Sequence, residues 1–378
     1  MKLIHLSDLH LGKRVNEVSM LEDQEYILRK ILQIVDEQKP DGVIIAGDVY
    51  DKAIPPADAV RLFDDFLVRL SQKGTHVFVI SGNHDSAERI AFGGRLMDAA
   101  GIHMSPVYSG AVKHVDLQDG YGTVHIYMLP FIKPANVRAA FEDEEVQTYT
   151  EALGCAVRHM EIDGTERNVL VTHQFVTGAA RSESEDISVG GTDNVDASVF
   201  AAFDYTALGH IHGPQNIGSD RIRYCGTPLK YSFSEKDHVK SVTVVELEEK
   251  GNVRVSTVPL IPLHDMREIR GTYDALTMKS NYENTNTEDY IYAVLTDEDD
   301  VPNAMARLRT VYPNIIKLDY DNVRTRSAAQ IIGAEDMERK TEIELFDELY
   351  EKQNGQPMSG LQKKFALELL EKVKEEEE

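Results

Sequence analysis

The sequence has few cysteines and no long apolar run. Among its 378 residues only Cys155 and Cys225 are cysteines, and they do not form a Cys-x-x-Cys pair. This argues against a disulfide framework and against a thiolate metal site, and it fits a reducing compartment. No stretch approaches the roughly 18 uninterrupted apolar residues that a membrane span needs. The opening segment MKLIHLSDLHLGK places charged side chains where a secretory signal has its apolar core, so we expect a cytoplasmic protein.

Basic residues are also scarce. Lys and Arg number 40 against 64 Asp and Glu, which gives a formal net charge of −24. A protein that grips nucleic-acid phosphates by itself usually presents a basic face. If this chain acts on a polyanion, we therefore expect a partner to supply most of the affinity, although bound metal ions would add local positive charge.

The apolar pattern of residues 1–265 alternates short β-branched runs with amphipathic helical segments. Strands are predicted at residues 2–6, 43–46, 76–80, 123–128, 168–171, 205–208 and 221–224, and helices at 20–38 and 56–70. Repeated strand-helix-strand units predict a layered α/β fold in which the loops at the strand ends carry function.

The pattern changes near Pro262, and we predict two further domains after residues 1–265. Strands at 266–270, 290–295 and 315–319, a helix at 304–311 and a loop at 279–289 predict a small α/β domain over residues 266–332. Residues 333–378 carry apolar positions at helical spacing in two short segments, around 343–350 and 361–373. Two short amphipathic helices cannot bury their apolar faces alone, so this tail is expected to bind a partner.

Five short blocks follow predicted strands directly. They are SDLHLG (residues 7–12), AGDVYD (46–51), SGNHD (81–85), THQ (172–174) and GHIH (209–212). The blocks supply carboxylates, imidazoles and one amide, a donor set that suits Mn²⁺, Fe²⁺ or Zn²⁺. In the D-x-H and H-x-H pairs, an extended segment would direct both side chains to one face, because the side-chain period there is two. The blocks together predict a metal site.

The number of potential ligands predicts two metal ions. The candidates are Asp8, His10, Asp48, Asn83, His173, His210 and His212, more than one ion needs. Two ions ~3.5–4 Å apart can hold the attacking and leaving oxygens of a phosphoryl displacement. A bridging carboxylate is then required, and Asp48 is the best candidate. His84 follows Asn83 and is expected to face the scissile phosphate, where it would protonate the leaving oxygen or stabilise developing charge.

Other polar residues near the blocks have weaker cases. Asp85 is expected to orient the His84 ring through its second nitrogen. Four basic residues could contact substrate phosphates, although isolated basic side chains are usually solvated surface; they are Lys13, Arg14, Arg89 and Lys230. Asp51 is as well explained by a turn as by a function, so it is left outside the metal set.

The order of the five blocks resembles the calcineurin-like metallophosphoesterases, which carry D-x-H, G-D-x-x-[DH], G-N-H-[DE], a lone His and G-H-x-H. Within them, several longer segments resemble the SbcD-type nuclease family: GDVYDKAIPP (47–56), SGNHDS (81–86), VGGTDNVDASVF (189–200), ALGHIHGPQ (207–215) and CGTPLKYSFSE (225–235). The resemblance is strong over residues 1–240 and fades after them.

This resemblance implies a four-layer αββα sandwich, a small α/β capping domain and a C-terminal helical tail that docks on the coiled-coil base of an ABC-type ATPase, SbcC. It implies one metal held by Asp8, His10 and His212 and another by Asn83, His173 and His210, with Asp48 shared and His84 catalytic. Asp51 stands where archaeal and eukaryotic counterparts have a second histidine, so that histidine's role is not carried over.

The implied activity is a Mn²⁺-dependent double-strand exonuclease and hairpin or single-strand endonuclease, gated by the ATPase. It would act in DNA repair, recombination and replication at the nucleoid, as a homodimer within a 2:2 complex. Two alternatives stay open: a phosphodiesterase or phosphatase for small phosphate esters or phosphoproteins, and a noncatalytic interaction module.

Overall fold

The computed structural model describes residues 1–185, 193–323, 325, 347, 350, 358–360 and 362–366. The described residues form two compact units: those within 1–268, 286–292 and 312–317 make up the first, and those within 269–285, 293–311 and from 318 onward make up the second. Most of the predicted tail helices, and residues 189–192 of one quoted segment, lie outside the described residues.

Strands and short helices alternate along the chain. The strands are β1 (Lys2–Leu6), β2 (Arg14–Val15), β3 (Val18–Ser19), β4 (Gly42–Ala46), β5 (His76–Ile80), β6 (Ile102–Met104), β7 (Lys113–Asp119), β8 (Gly122–Met128), β9 (Arg167–His173), β10 (Tyr205–Gly209), β11 (Gln215–Ile217), β12 (Ser219–Tyr224), β13 (Ser241–Leu247), β14 (Val253–Pro259), β15 (Met266–Gly271), β16 (Tyr290–Leu295) and β17 (Ile315–Tyr320). The helices are α1 (Leu21–Gln38), α2 (Ala57–Gln72), α3 (Ala87–Ala91), α4 (Gly94–Met97), α5 (Pro134–Ala140), α6 (Tyr149–Arg158), α7 (Tyr273–Thr277), α8 (Lys279–Tyr282) and α9 (Ala304–Leu308).

Two six-stranded mixed sheets build the first unit. One has the order β14-β13-β1-β4-β5-β6 and the other the order β11-β12-β10-β9-β8-β7, while β15, β16 and β17 form a separate three-stranded sheet. Strands β1, β4, β5 and β6 run parallel, as do β8, β9, β10 and β12. Their carboxyl ends therefore meet at one edge, where loops of both sheets can contribute to a site.

Three apolar layers hold this unit together. Between the sheets, Ile44 and Phe78 belong to the same buried cluster as Val169 and Tyr205. On the outer face of the first sheet, strand residues such as Val43 cluster with the apolar stripes of α1 and α2. On the outer face of the second sheet, Tyr127, Leu170 and Leu208 cluster with residues of α6 such as Leu153. The predicted four-layer αββα sandwich is thus confirmed.

Most predicted elements lie within two residues of those observed. Several observed elements were not predicted, namely β2, β3, β6, β7, β11, β13, β14 and α3–α6; of these, β13 pairs with β1 and extends the first sheet. Helix α9 ends at Leu308, short of the predicted 311, and α7 and α8 occupy a stretch predicted in part as a loop. Helix α8 is a single turn that begins with Lys279, Ser280 and Asn281, and so short a turn needs no apolar stripe. Among the described residues, no helix is long and apolar enough to cross a membrane.

Candidate metal centre

The first two blocks form a pair of interlocked turns at the ends of β1 and β4. The Asp8 amide donates to the Gly47 carbonyl at 3.0 Å and the His10 amide to the Asp48 carbonyl at 3.0 Å. Asp8, His10 and Asp48 have φ values of 53°, 45° and 48°, and His210 has 101°. This left-handed backbone costs about 1–2 kcal/mol per non-glycine residue, and such strain is typical of functional sites. The D-x-H pair is therefore not extended, and the argument from a side-chain period of two is wrong here.

One group of ligand atoms gathers around His10. The Nε2 atoms of His10 and His212 lie 3.2 Å apart. Asp8, His10 and His212 are all buried, and each offers a ligand atom within 4.8 Å of the others. The Asp8 carboxylate also accepts the His210 amide at 3.1 Å, which ties this group to the last block.

A second group gathers around the Asn83 amide oxygen. Asn83 Oδ1 lies 2.9 Å from His173 Nε2 and 2.9 Å from His210 Nδ1. Asp48 Oδ2 lies 3.3 Å from His173 Nε2 and 3.7 Å from His10 Nε2, so this one carboxylate oxygen stands between the two groups. His210 thus joins the second group and His212 the first, so the H-x-H spacing does not direct both rings to one place, contrary to the spacing argument.

Hydrogen bonds to the outer ring nitrogens orient these imidazoles. His173 Nδ1 lies 2.8 Å from the Ala46 carbonyl and must donate to it, so Nε2 is the nitrogen that faces the site. His84 Nδ1 lies 3.2 Å from the Asp51 carbonyl, and His212 Nδ1 lies 2.7 Å from Ser184 Oγ. His10 Nδ1 is buried without a hydrogen-bond partner among the described residues, and a carboxylate oxygen of Asp51 is 3.9 Å away.

The pKa values of the buried carboxylates and imidazoles in this cluster depend on one another. Burial raises the pKa of Asp8 to about 6 and lowers the pKa of His210 to about 3. Burial would also raise the pKa of Asp48, but His173, His10 and His84 together hold it below its usual range. Against its own burial, Asp48 raises the pKa of His173 to about 9. Burial keeps the His10 and His210 imidazoles neutral, whereas His173 shares its charge with Asp48. Buried carboxylates that need a nearby positive charge, beside imidazoles that can offer a lone pair, are the donor set that a divalent cation requires.

Asp85 ties two of the blocks together through backbone amides. Its carboxylate accepts the amides of Val49 at 3.1 Å, Tyr50 at 3.0 Å and Gly82 at 3.0 Å, and so fastens the second block to the third. The hydrogen bond that the structure gives the His84 ring at Nδ1 goes to the Asp51 carbonyl. Both Asp85 oxygens are engaged by backbone donors, and the orientation of the His84 ring by Asp85 stays a prediction.

The four basic candidates lie outside both groups of ligand atoms. Lys13 Nζ pairs with Asp51 Oδ1 at 2.7 Å, and Lys230 Nζ pairs with Asp265 Oδ1 at 2.8 Å. The Arg14 guanidinium donates to the Glu17 carbonyl, and Arg89 is exposed. Their contact with substrate phosphates stays a prediction.

Three glycines of the blocks are required by close packing against these side chains. A Cβ at Gly82 would lie 2.1 Å from Asp48 Oδ1, one at Gly47 2.4 Å from His173 Nδ1, and one at Gly209 1.9 Å from the Ala46 carbonyl oxygen. The glycines in G-D, G-N-H and G-H-x-H therefore let backbone approach the ligands directly.

Gly82→Ala is expected to lower the rate of phosphoester cleavage about 10²-fold, because a displacement of ~1 Å in a positioned group has that effect. Initial rates with saturating metal, together with metal content after dialysis, measure it. The matched control is Gly154→Ala in α6, where the nearest atom to a new Cβ is Arg158 Nη1 at 3.6 Å. Equal rates for Gly82→Ala and wild type would mean that Asp48 does not need its present position.

Several residues that hold the site lie outside the five blocks. Glu235, Lys240 and Ser184 pack beneath His212, whereas Gln24 and Tyr231 hold the first block through the His10 and Leu9 carbonyls. Among the three beneath His212, only Glu235 had a sequence signal, because it ends the family-like segment CGTPLKYSFSE.

The sandwich and this cluster define a metal-dependent phosphoesterase. A family model described as calcineurin-like phosphoesterase matches residues 1–214, and one described as type 5 capsule protein repressor C-terminal domain matches residues 262–354. The SbcD component of nuclease SbcCD from Staphylococcus epidermidis is 31% identical over 96% of both chains, and that from Staphylococcus saprophyticus is 34% identical over 84% of both. A crystal structure of a dimetal phosphatase from Danio rerio aligns over 69% of this chain and 99% of its own, at 14% identity and a TM-score of 0.40.

The chain belongs to the calcineurin-like phosphoesterases and, within them, to the SbcD family of nuclease SbcCD components. It is an enzyme, a metal-dependent phosphodiesterase that uses divalent metal.

Proposed function

We propose that this chain is the Mn²⁺-dependent DNA-cleaving component of a complex with an SbcC-like ABC-type ATPase. The observation that carries the chemistry is the position of Asp48. Its Oδ2 atom lies 3.3 Å from His173 Nε2 and 3.7 Å from His10 Nε2, so one carboxylate serves two groups of ligand atoms. That is the arrangement of a two-metal phosphodiesterase.

The residues fit two divalent ions. Asp8, His10 and His212 would hold one, Asn83, His173 and His210 the other, and Asp48 would contact both. Oxygen and imidazole donors without a thiolate suit Mn²⁺. When bound, the pair supplies an activated water and charge stabilisation on both sides of an in-line displacement. The Nδ1–H bond of His173 to the Ala46 carbonyl keeps Nε2 directed at the site, where it would be the ligand atom.

We infer that His84 acts on the substrate rather than holding a metal. Its side chain is 22% exposed, whereas those of His10, His173 and His212 are 1%, 0% and 3% exposed. Its Nδ1 is directed at the Asp51 carbonyl, and its Nε2 lies 3.9 Å from Asp48 Oδ2. From there an imidazolium can donate its Nε2 proton to the leaving oxygen.

DNA as the substrate and the ATPase as the partner are supported by the relatives and by charge. The Staphylococcus epidermidis relative, whose name is that of an SbcCD nuclease component, aligns with nearly the whole chain. A net charge of −24 leaves little basic surface for DNA, so the ATPase would supply much of the grip. We further propose double-strand exonuclease and hairpin or single-strand endonuclease activity in DNA repair. In this scheme residues 1–265 are the nuclease domain, 266–332 a capping domain and 333–378 the ATPase-binding tail of a homodimer in a 2:2 complex.

The proposal is tested by incubating the purified full chain with Mn²⁺ on linear and hairpin DNA, with and without the ATPase and ATP. A small phosphate bis-ester is assayed in parallel. We expect Mn²⁺-dependent cleavage of DNA that rises with the ATPase and is lost on chelation. Turnover of the bis-ester without DNA cleavage, even with the partner, would identify a small-molecule phosphodiesterase instead. A protein that turns over neither substrate would be the noncatalytic module.

A further inference from the structure

A buried polar network lies behind His212, on the side away from the other ligand atoms. Ser184 Oγ is 2.7 Å from His212 Nδ1 and 2.6 Å from Glu235 Oε1. Glu235 is fully buried, and its Oε2 accepts from Lys240 Nζ at 2.5 Å. The order imidazole, hydroxyl, carboxylate, ammonium thus runs inward from the site.

The count of hydrogens fixes the direction of these bonds. Glu235 faces a buried lysine and is a carboxylate, which only accepts, so the single Ser184 hydroxyl hydrogen goes to Glu235. Ser184 Oγ must then accept from His212, which places the imidazole hydrogen on Nδ1. The lone pair of His212 is therefore on Nε2, the atom that lies 3.2 Å from His10 Nε2.

The backbone of His212 is held by the same network. Its amide donates to Glu185 Oε1 at 2.7 Å, and its carbonyl accepts from Lys240 Nζ at 2.9 Å. Lys240 is 5% exposed and also donates to Thr227 Oγ1 at 2.6 Å. Position, ring angle and tautomer of His212 are all set by side chains from residues 184–185 and 235–240.

Two other histidines of the cluster are held differently. His173 is oriented by a neutral backbone carbonyl, and His10 Nδ1 has no hydrogen-bond partner in the part of the chain that the structure describes. A carboxylate behind an imidazole raises its basicity as a ligand. The network therefore acts on one of the two groups of ligand atoms, the one made of Asp8, His10 and His212.

We propose that Glu235, acting through Ser184, is the positioning residue for His212 and sets the affinity of the metal held by Asp8, His10 and His212. This rests on the proposed two-metal function. Breaking the relay should weaken one metal and leave the other, because the second group is anchored separately, through the Ala46 carbonyl and the Asn83 amide oxygen. A variant that destabilised the whole fold would instead lower the affinity for both metal ions.

The test is Mn²⁺ titration of the full chain, followed by electron paramagnetic resonance of free Mn²⁺ and by calorimetry. Ser184→Ala, Ser184→Thr and Glu235→Gln are compared with wild type. We expect one binding step to lose about 10–100-fold in affinity in Ser184→Ala and Glu235→Gln, with the other step unchanged and Ser184→Thr, which keeps a hydroxyl, largely restored. If Glu235→Gln does not fold, Ser184→Ala alone tests the proposal, because the Glu235–Lys240 pair remains in place in that variant.

The matched control is Asp204→Asn. Asp204 is a buried carboxylate paired with Lys250 at 2.8 Å at the start of β10, away from the histidines at its end. Its variant should keep both binding steps. Two unchanged steps in Ser184→Ala and Glu235→Gln would overturn the relay, as would equal weakening of both steps. A wild-type chain that binds fewer than two ions would overturn the two-metal proposal instead.

Discussion

Asp48→Asn is expected to lower Mn²⁺-dependent phosphodiester cleavage about 10³-fold and to reduce the bound metal from two ions to one or none. Asp48 Oδ2 lies near both His173 Nε2 and His10 Nε2. Asparagine has the size of aspartate, and its Oδ1 can still accept the His84 amide, which in the wild type lies 2.9 Å from Asp48 Oδ1. It replaces the other carboxylate oxygen, the ligand atom, by an amide nitrogen. Losing one ion removes several kcal/mol of charge stabilisation, and about 4 kcal/mol corresponds to 10³ in rate.

The measurements are single-turnover rates on DNA and metal content after dialysis. Asp51→Asn is the matched control, because Asp51 lies three residues away in the same block and pairs with Lys13. We expect Asp51→Asn to lose less than about tenfold, as a partly exposed pair contributes little. If Asp48→Asn keeps two ions and Asp51→Asn loses one, the bridging role has been given to the wrong carboxylate.

That the residues of the candidate site come together could be predicted, because each block carries its own chemistry. Each block follows a strand, and the carboxyl ends of parallel strands meet at one edge, so residues as far apart as Asp8 and His210 come into hydrogen-bond contact. The layers of the sandwich could also be predicted from local sequence, because the apolar periodicity of each strand and helix shows which of its faces is buried.

What could not be predicted depends on backbone turns and on contacts across the sequence. The left-handed conformations of Asp8, His10 and Asp48 arise from bonds between two separate blocks, and no spacing rule contains them. These left-handed conformations also explain why a side-chain period of two does not describe the D-x-H pair. Ser184 meets Glu235 across 51 residues without a motif of its own. The backbone amides that the Asp85 carboxylate accepts are a further example, because an acidic residue beside a histidine gives no sign of them in the sequence.

His84→Gln is expected to lower the cleavage rate of DNA about 10²–10⁴-fold while both metal-binding steps remain. The ring touches the metal cluster at its rim: Nε2 lies 3.9 Å from Asp48 Oδ2, and the anchoring bond of the ring goes to the Asp51 carbonyl. Metal titration should therefore separate this variant from Asp48→Asn.

The leaving group distinguishes the two roles open to His84. A general acid matters most when the leaving oxygen is a poor leaving group, as in DNA, and little when it is a nitrophenolate that departs without a proton. A group that stabilises charge on the phosphoryl oxygens matters for both substrates. Rates of His84→Gln on DNA and on a bis-nitrophenyl ester, each relative to wild type, measure the difference. A large loss on DNA with a small loss on the ester assigns the proton to His84, whereas equal losses assign it the electrostatic role, and loss of a metal ion would place His84 among the ligands.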